Sequence, residues 1–150
     1  MWRRRFLLVC GLLLLLMVIG SVVSIAAGWP AQFGGRGDPN EVASEFLSRG
    51  TALAPPLVPL VLFVIFVAVA RRGDRWGTAA VIGTMLLSII FIIGSLGEAF
   101  ADSTPDVPRA ALVISGVVGT LLPAAVLVTG SALLRARAQE KRTSSPQSFE

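Results

Sequence analysis

The sequence contains no histidine and no tyrosine, and its single cysteine is Cys10. Without histidine, the chain lacks the commonest acid–base group near neutral pH and the usual nitrogen ligand for metals and haem. A single cysteine excludes an intramolecular disulfide. The sequence also contains no glycine-rich phosphate loop, no nucleophile motif with a base and no cluster of metal ligands. We therefore expect no catalytic, cofactor-binding or metal site, and we expect that the protein is not an enzyme.

Charge is also scarce, because only 15% of the residues are charged and 54% are hydrophobic. A soluble domain carries charge on about a quarter of its residues, so the excess apolar surface is expected to face lipid. The net charge is +4, and the basic residues flank apolar segments. Anionic lipid headgroups at the cytoplasmic face are therefore the expected partner, and nucleic acid is not.

The apolar residues form four long runs, which we interpret as membrane spans at 6–27, 52–70, 77–97 and 110–134. The third run has 21 residues without a charge, and as a helix it would be about 31 Å long, close to the hydrocarbon thickness of a bilayer. The sequence predicts an all-α membrane protein, a four-transmembrane-helix bundle that forms one domain over 1–142. The polar residues 143–150 are expected to be a disordered cytoplasmic tail.

The first run also resembles a signal peptide, since arginines precede it and small residues end it near position 26. A signal peptide usually has an apolar region of about 7–15 residues, whereas this run has 22. We therefore favour an uncleaved helix, and cleavage after the first 26 residues remains the alternative.

The first loop predicts a short extracellular amphipathic helix between spans 1 and 2. Asp38 can cap it, Pro39 suits its first turn, and Glu41 follows Asp38 by three residues as in a capping box. Val42 and Phe46 would then share its apolar face.

Basic residues are distributed unequally between the two sides of the predicted bundle. Ten lie on the side of both termini, and three lie on the other: Arg36, Arg49 and Arg109. Because lysine and arginine accumulate on the cytoplasmic side, we expect both termini in the cytoplasm. The arginine-, alanine- and glycine-rich composition favours a bacterial plasma membrane.

Small residues at helical spacing predict where helices approach each other. The candidate packing faces are Gly20 and Ser24 in span 1, and Ser115, Gly116, Gly119 and Thr120 in span 4. Pro123 lies in the middle of span 4 and is expected to kink it. The kink can be structural or can mark a gating hinge.

Glu98 directly follows the third span, and Asp102 lies one helical turn later. Two carboxylates at that spacing can form an acidic outer mouth that binds a cation. The alternative is a solvated helix end at which Glu98 accepts hydrogen bonds from loop groups or pairs with Arg109.

None of the four predicted spans contains an ionisable side chain, although transporters and pumps usually carry some. We therefore expect an accessory, scaffold or envelope protein that acts through helix–helix contacts, either with other membrane proteins or with itself. The alternative is a small oligomeric channel or carrier that uses Glu98 and Asp102 at its outer mouth.

Overall fold

The computed structural model describes residues 1–32, 37–100 and 107–143, except for the side chain of Arg142. Every regular element within these ranges is a helix. The elements are α1 (Trp2–Ala27), α2 (Val42–Glu45), α3 (Leu57–Val69), α4 (Arg75–Phe100) and α5 (Arg109–Thr143). Three of them, α1, α4 and α5, are long and apolar enough to cross a membrane. The expectation of an all-helical membrane protein is confirmed, with three helices of spanning length among the described residues instead of four.

The predicted second span is shorter as a helix than its apolar run. Helix α3 has 13 residues, which is about 20 Å and less than the roughly 30 Å of bilayer hydrocarbon. Residues that precede a proline disfavour the helical conformation, and this applies to Ala54 and Pro55. The chain turns at this point instead, with the amide of Thr51 donating to the carbonyl of Ala54 at 2.9 Å. Pro59 costs no helical hydrogen bond because it lies in the first turn of α3.

Helices α4 and α5 extend beyond the runs predicted for spans 3 and 4. Asp74 caps α4 one residue before Arg75, and α5 continues through its basic residues to Thr143. Charged residues end a hydrophobic run but do not end a helix, because arginine, lysine and glutamate are good helix formers. The predicted tail falls almost entirely at 144–150, which lies outside the described residues.

The predicted amphipathic helix is reduced to the four residues of α2. The Asp38 carboxylate accepts from the amide of Asn40 at 2.8 Å, so it stabilises a turn that precedes the helix. Val42 is buried and Phe46 is half-buried, so the predicted apolar positions face the bundle.

Helices α1, α5, α4 and α3 surround one apolar core, in that order around the bundle. Within the described residues α5 packs against both α1 and α4, and α3 packs against α4 and α1. Phe6, Phe63, Val81 and Val126, one from each helix, are all 0% exposed. The rings of Phe63 and Phe91 pack at a centroid distance of 5.5 Å. The centre of the bundle is therefore filled by side chains.

Within the described residues, α1, α3, α4 and α5 each run between the two ends of the bundle. Met1 and Arg3 lie beside Gly73 and Arg137 at one end, which we call the basic end. At the other end, which we call the Glu98 end, the loop after α1 is bonded to the last turns of α4. A second apolar cluster of Ala52, Val107 and Leu112 closes the Glu98 end, with Trp29 and Leu53 packed against it.

Candidate functional sites at the two ends of the bundle

Helices α4 and α5 approach each other closely at two glycines of α5, Gly116 and Gly119. A Cβ placed on Gly116 would lie 2.5 Å from the Cβ of Ala99, and one on Gly119 would lie 2.8 Å from the Cβ of Ser95. Both distances are shorter than van der Waals contact, so only glycine fits. Ser115 and Thr120, predicted for the same face, are half-buried. Pro123 is fully buried within α5, which continues on both sides of it.

The small residues of α1 face a loop, although we expected them to face another helix. A Cβ on Gly20 would lie 2.7 Å from the carbonyl oxygen of Leu53, in the segment that leads into α3. Ser24 is 0% exposed, and its Oγ has no hydrogen-bond partner among the described residues. The absence of a side chain at Gly20 therefore allows the backbone at Leu53 to approach α1. The spacing of small residues alone does not reveal that the neighbour is a loop.

Several hydroxyl groups within the bundle bond to their own helices. Thr84 donates to the carbonyl of Ala80 at 2.8 Å, and Ser88 donates to that of Thr84 at 2.9 Å. Thr129 donates to the carbonyl of Ala125 at 2.7 Å. Such bonds satisfy a hydroxyl locally, so these residues offer no continuous polar path.

Glu98 fastens the loop after α1 to the end of α4. The backbone amide of Gln32 donates to both carboxylate oxygens, at 2.9 and 3.1 Å. The Gln32 side chain is buried, and its Nε2 donates to the carbonyl of Pro30 at 2.8 Å. Asp102, the other predicted acid, lies outside the described residues. Within the described ranges, no group of three potential metal ligands converges.

Arg137 joins three elements at the basic end. Its Nη2 donates to the carbonyl oxygens of Ala70 and Arg72, each at 2.9 Å, and its Nη1 donates to Oγ1 of Thr78 at 3.4 Å. The carbonyls at the end of α3 lack helical partners, and a guanidinium also suits the negative end of the helix dipole. In the sequence, Arg137 is only one of ten basic residues on the same side of the predicted bundle, because its spacing from Ala70 carries no signal.

Asp74 organises the turn between α3 and α4. Its Oδ1 accepts from the amide of Gly77 at 2.8 Å, and its Oδ2 lies 2.9 Å from Nη2 of Arg72. The Gly77 hydrogen bond, followed by the charge of Arg72, holds the pKa of Asp74 below its ordinary value despite some desolvation. A negative charge at the first turn of α4 is also favoured by the helix dipole.

An open groove of about 580 Å³ runs along α5 at the basic end. One wall is the segment of α5 from Leu127 to Gln139, and the other is the side chain of Trp2. The guanidinium carbon of Arg5 lies 5.1 Å from the Trp2 ring centroid, so the indole is held by a cation–π contact. Arg135 is the charged residue in the described lining. This groove could not be predicted from the sequence, because its walls are more than 100 positions apart in the chain.

Comparisons with protein-family models, with curated proteins and with solved structures find no match to this chain.

Proposed function

We propose that the protein is a multi-pass membrane protein that acts through contacts with other membrane proteins and has no catalytic role. The observation that carries the proposal is the filled core, where Phe6, Phe63, Val81 and Val126 are fully buried. A pathway for a solute would need polar groups or space at that position. Between their charged ends, the long helices instead expose apolar side chains, which suits lateral contact within a bilayer.

The alternative of a small channel or carrier has less support in the described residues. Its proposed outer mouth depends on Glu98, and both oxygens of that carboxylate accept from the Gln32 amide. A carboxylate used in this way fixes the loop after α1 to the end of α4. The hydroxyls of Thr84, Ser88 and Thr129 are bonded within their own helices, so they do not extend a polar route from that mouth.

We also propose four membrane crossings, with the second completed by non-helical chain. Helix α3 supplies about 20 Å, and residues 54–56, which follow the turn at Thr51, can add at most roughly 10 Å. Non-helical backbone is tolerated at membrane depth where protein buries it; Thr51 and Ala52 are buried, and residues 53–56 are half-buried. The amide of Ala52 donates to the carbonyl of Trp29, which satisfies it internally.

The proposed orientation places the basic end, with both termini, in the cytoplasm of a bacterial cell. Its support is the excess of basic residues at that end, which the positive-inside rule assigns to the cytoplasmic side. Anionic headgroups of that leaflet are the expected lipid partners.

Cysteine labelling tests this orientation. Asn40 and Gly73 are exposed at opposite ends, and a side chain at position 73 meets no atom within 4 Å. In a Cys10→Ala background, Asn40→Cys should react with a membrane-impermeant maleimide in intact cells. Gly73→Cys should react only after permeabilisation. Labelling of Gly73→Cys in intact cells contradicts the orientation, and a mature chain that begins near Ala27 contradicts the first crossing.

Site-specific photocrosslinking in living cells tests the contact function. A photoreactive amino acid would be placed at one exposed position on each helix, and at buried Phe63 as the control. The exposed positions are Leu15, Ile65, Ile90 and Val117, which are 56%, 48%, 55% and 53% exposed. The proposal expects one face to crosslink a single protein in high yield, or a second copy of the chain, with no product from position 63.

The same experiment can overturn the proposal. If all four exposed positions crosslink only to lipid, the protein has no partner on these faces. If the purified protein forms an oligomer that carries a solute flux in proteoliposomes, the channel or carrier replaces the contact function. A Glu98→Gln variant that abolishes the flux while the protein stays folded would locate the outer mouth.

A further inference from the structure

The groove between α1 and α5 changes in chemical character along its length. Leu127, Ser131, Arg135 and Gln139 line it and follow each other at four-residue intervals, so they form one stripe on α5. The stripe therefore runs from an aliphatic side chain through a hydroxyl to a guanidinium and an amide. Each step along the stripe is about 6 Å towards the basic end.

This order matches the order of groups in a phospholipid. An acyl chain packs on aliphatic side chains, the ester and glycerol region accepts hydrogen bonds from a hydroxyl, and the phosphate pairs with a guanidinium. Arginine suits the phosphate well because its planar fork can donate two parallel hydrogen bonds. The groove is also open on one side, so a lipid can enter it laterally from the bilayer.

The opposite wall has the properties expected at the membrane interface. Tryptophan is enriched there because its ring is apolar while its N–H remains a donor, and the Trp2 ring is fixed by Arg5 at 5.1 Å. The lining on α5 between the polar positions consists of small residues, Ala132 and Ala136, which leave room for a chain beside the helix. The lining contributes a positive charge at Arg135.

We propose that this groove binds one anionic phospholipid, with its acyl chain along Leu127 and its headgroup phosphate at Arg135. The proposal rests on the membrane orientation given above, since the groove then opens to the cytoplasmic leaflet. It extends the general attraction of basic residues for anionic headgroups by assigning one lipid to one site.

Fluorescence of Trp2 provides the test. Trp29→Phe and Trp76→Phe leave Trp2 as the only tryptophan in the chain. The protein would be reconstituted into phosphatidylcholine vesicles that contain increasing fractions of phosphatidylglycerol brominated near the carboxyl end of its acyl chains. Brominated phosphatidylcholine is the matched probe without net charge. We expect half-maximal quenching at a several-fold lower fraction of the anionic probe.

Three variants identify the group responsible for this preference. Arg135→Gln should reduce the preference about fivefold, which corresponds to the roughly 1 kcal/mol that one arginine contributes near an anionic headgroup. Arg135→Lys should retain most of it. Arg71→Gln removes an exposed arginine at the same end but outside the groove, and it should have little effect. Helicity and elution volume should match the parent chain in each case.

Two other outcomes would contradict a lipid site at Arg135. Equal losses in Arg135→Gln and Arg71→Gln would show diffuse attraction by the whole basic end. Release of quenching by inorganic phosphate would show a free-anion site instead of a lipid site. Native mass spectrometry of the chain with all three tryptophans gives an independent count, which should be one tightly held phosphatidylglycerol. Loss of the lipid with unchanged protein crosslinks would reject this site and leave the contact function intact.

Discussion

Arg137 in the last third of α5 donates to the carbonyl oxygen of Ala70 at the end of α3, across 2.9 Å and 67 positions of sequence. The same nitrogen reaches the carbonyl of Arg72 at 2.9 Å. One cation thus replaces the helical partners that these carbonyls lack. This contact fixes the α3–α4 turn against α5, and it makes the basic end a packed structure as well as a charged one.

Replacing Arg137 with Gln should destabilise the protein by about 2 kcal/mol, because hydrogen bonds from a charged group to backbone carbonyls are lost. Arg135→Gln is the control, since it removes the same charge one half-turn away while the bonds to α3 remain. Unfolding by SDS in mixed micelles, followed by circular dichroism, measures the difference. Equal destabilisation by the two variants would mean that the positive charge stabilises the fold and that the hydrogen bond to Ala70 does not.

Replacing Gly116 with Leu should destabilise or rearrange the bundle by about 1–3 kcal/mol, as expected when a packed contact is overfilled. The added side chain would collide with Ala99 of α4. Gly94→Leu is the matched control, because a Cβ on Gly94 meets no atom within 4 Å. Retention on size-exclusion chromatography and the unfolding midpoint report the effect. If the Gly94 variant is as unstable as the Gly116 variant, the close α4–α5 contact is wrong.

The stabilising effect of Asp74 should depend on pH in a defined direction. Its folded pKa lies below the ordinary value of 3.8, so the ionised form is favoured by folding. The resulting stability is fully present above that value and is lost as the pH falls through the folded pKa. The melting temperature of the parent chain should therefore exceed that of Asp74→Ala at neutral pH, and the gap should narrow below pH 3.8.

An Asp74→Asn variant separates charge from capping. Asparagine still caps a helix, so this variant should keep part of the stability without the pH dependence. A gap between the parent chain and Asp74→Ala that stays constant through the acid range would show that the carboxylate is not the relevant group.

Replacing Glu98 with Gln should leave the fold intact and weaken the attachment of the first loop. The amide of Gln32 then donates to a neutral oxygen, and a neutral acceptor forms a weaker hydrogen bond than a carboxylate. Hydrogen exchange at Gln32 should be faster in the variant, while exchange in the centre of α1 stays unchanged. Unaltered exchange at Gln32 would contradict the role assigned to Glu98.

The membrane character of the chain could be predicted from the sequence because the length and polarity of an apolar run directly decide whether it can span. The residues at which helices begin and end were harder to predict. Pro55 and Pro56 keep the start of the second run out of the helix, whereas the same run read by hydropathy alone extends back to Ala52. In α5 the opposite error occurred, since Arg135 ends the apolar run but the helix continues to Thr143.

Contacts between distant segments could not be predicted from spacing. Small residues mark where a backbone can approach, but they do not say which backbone does so. Gly116 meets α4, whereas Gly20 meets the loop at Leu53. The groove at Trp2 and the bonds of Arg137 likewise depend on how α1 and α3 meet α5. A single sequence without aligned relatives contains no pairwise signal for such contacts.

The central position of α5 has a consequence for biosynthesis. Within the described residues α1 and α4 make no close backbone contact with each other, and each packs against α5. Because α5 follows α1, α3 and α4 in the chain, α1 and α4 are joined only through α3 until α5 has been made. The carbonyl of Ala70 at the end of α3 likewise lacks its donor, Arg137, until α5 has been made. The bundle can therefore close only after α5 has been synthesised, and a chain that stops before Arg109 should remain an open set of helices exposed to membrane proteases.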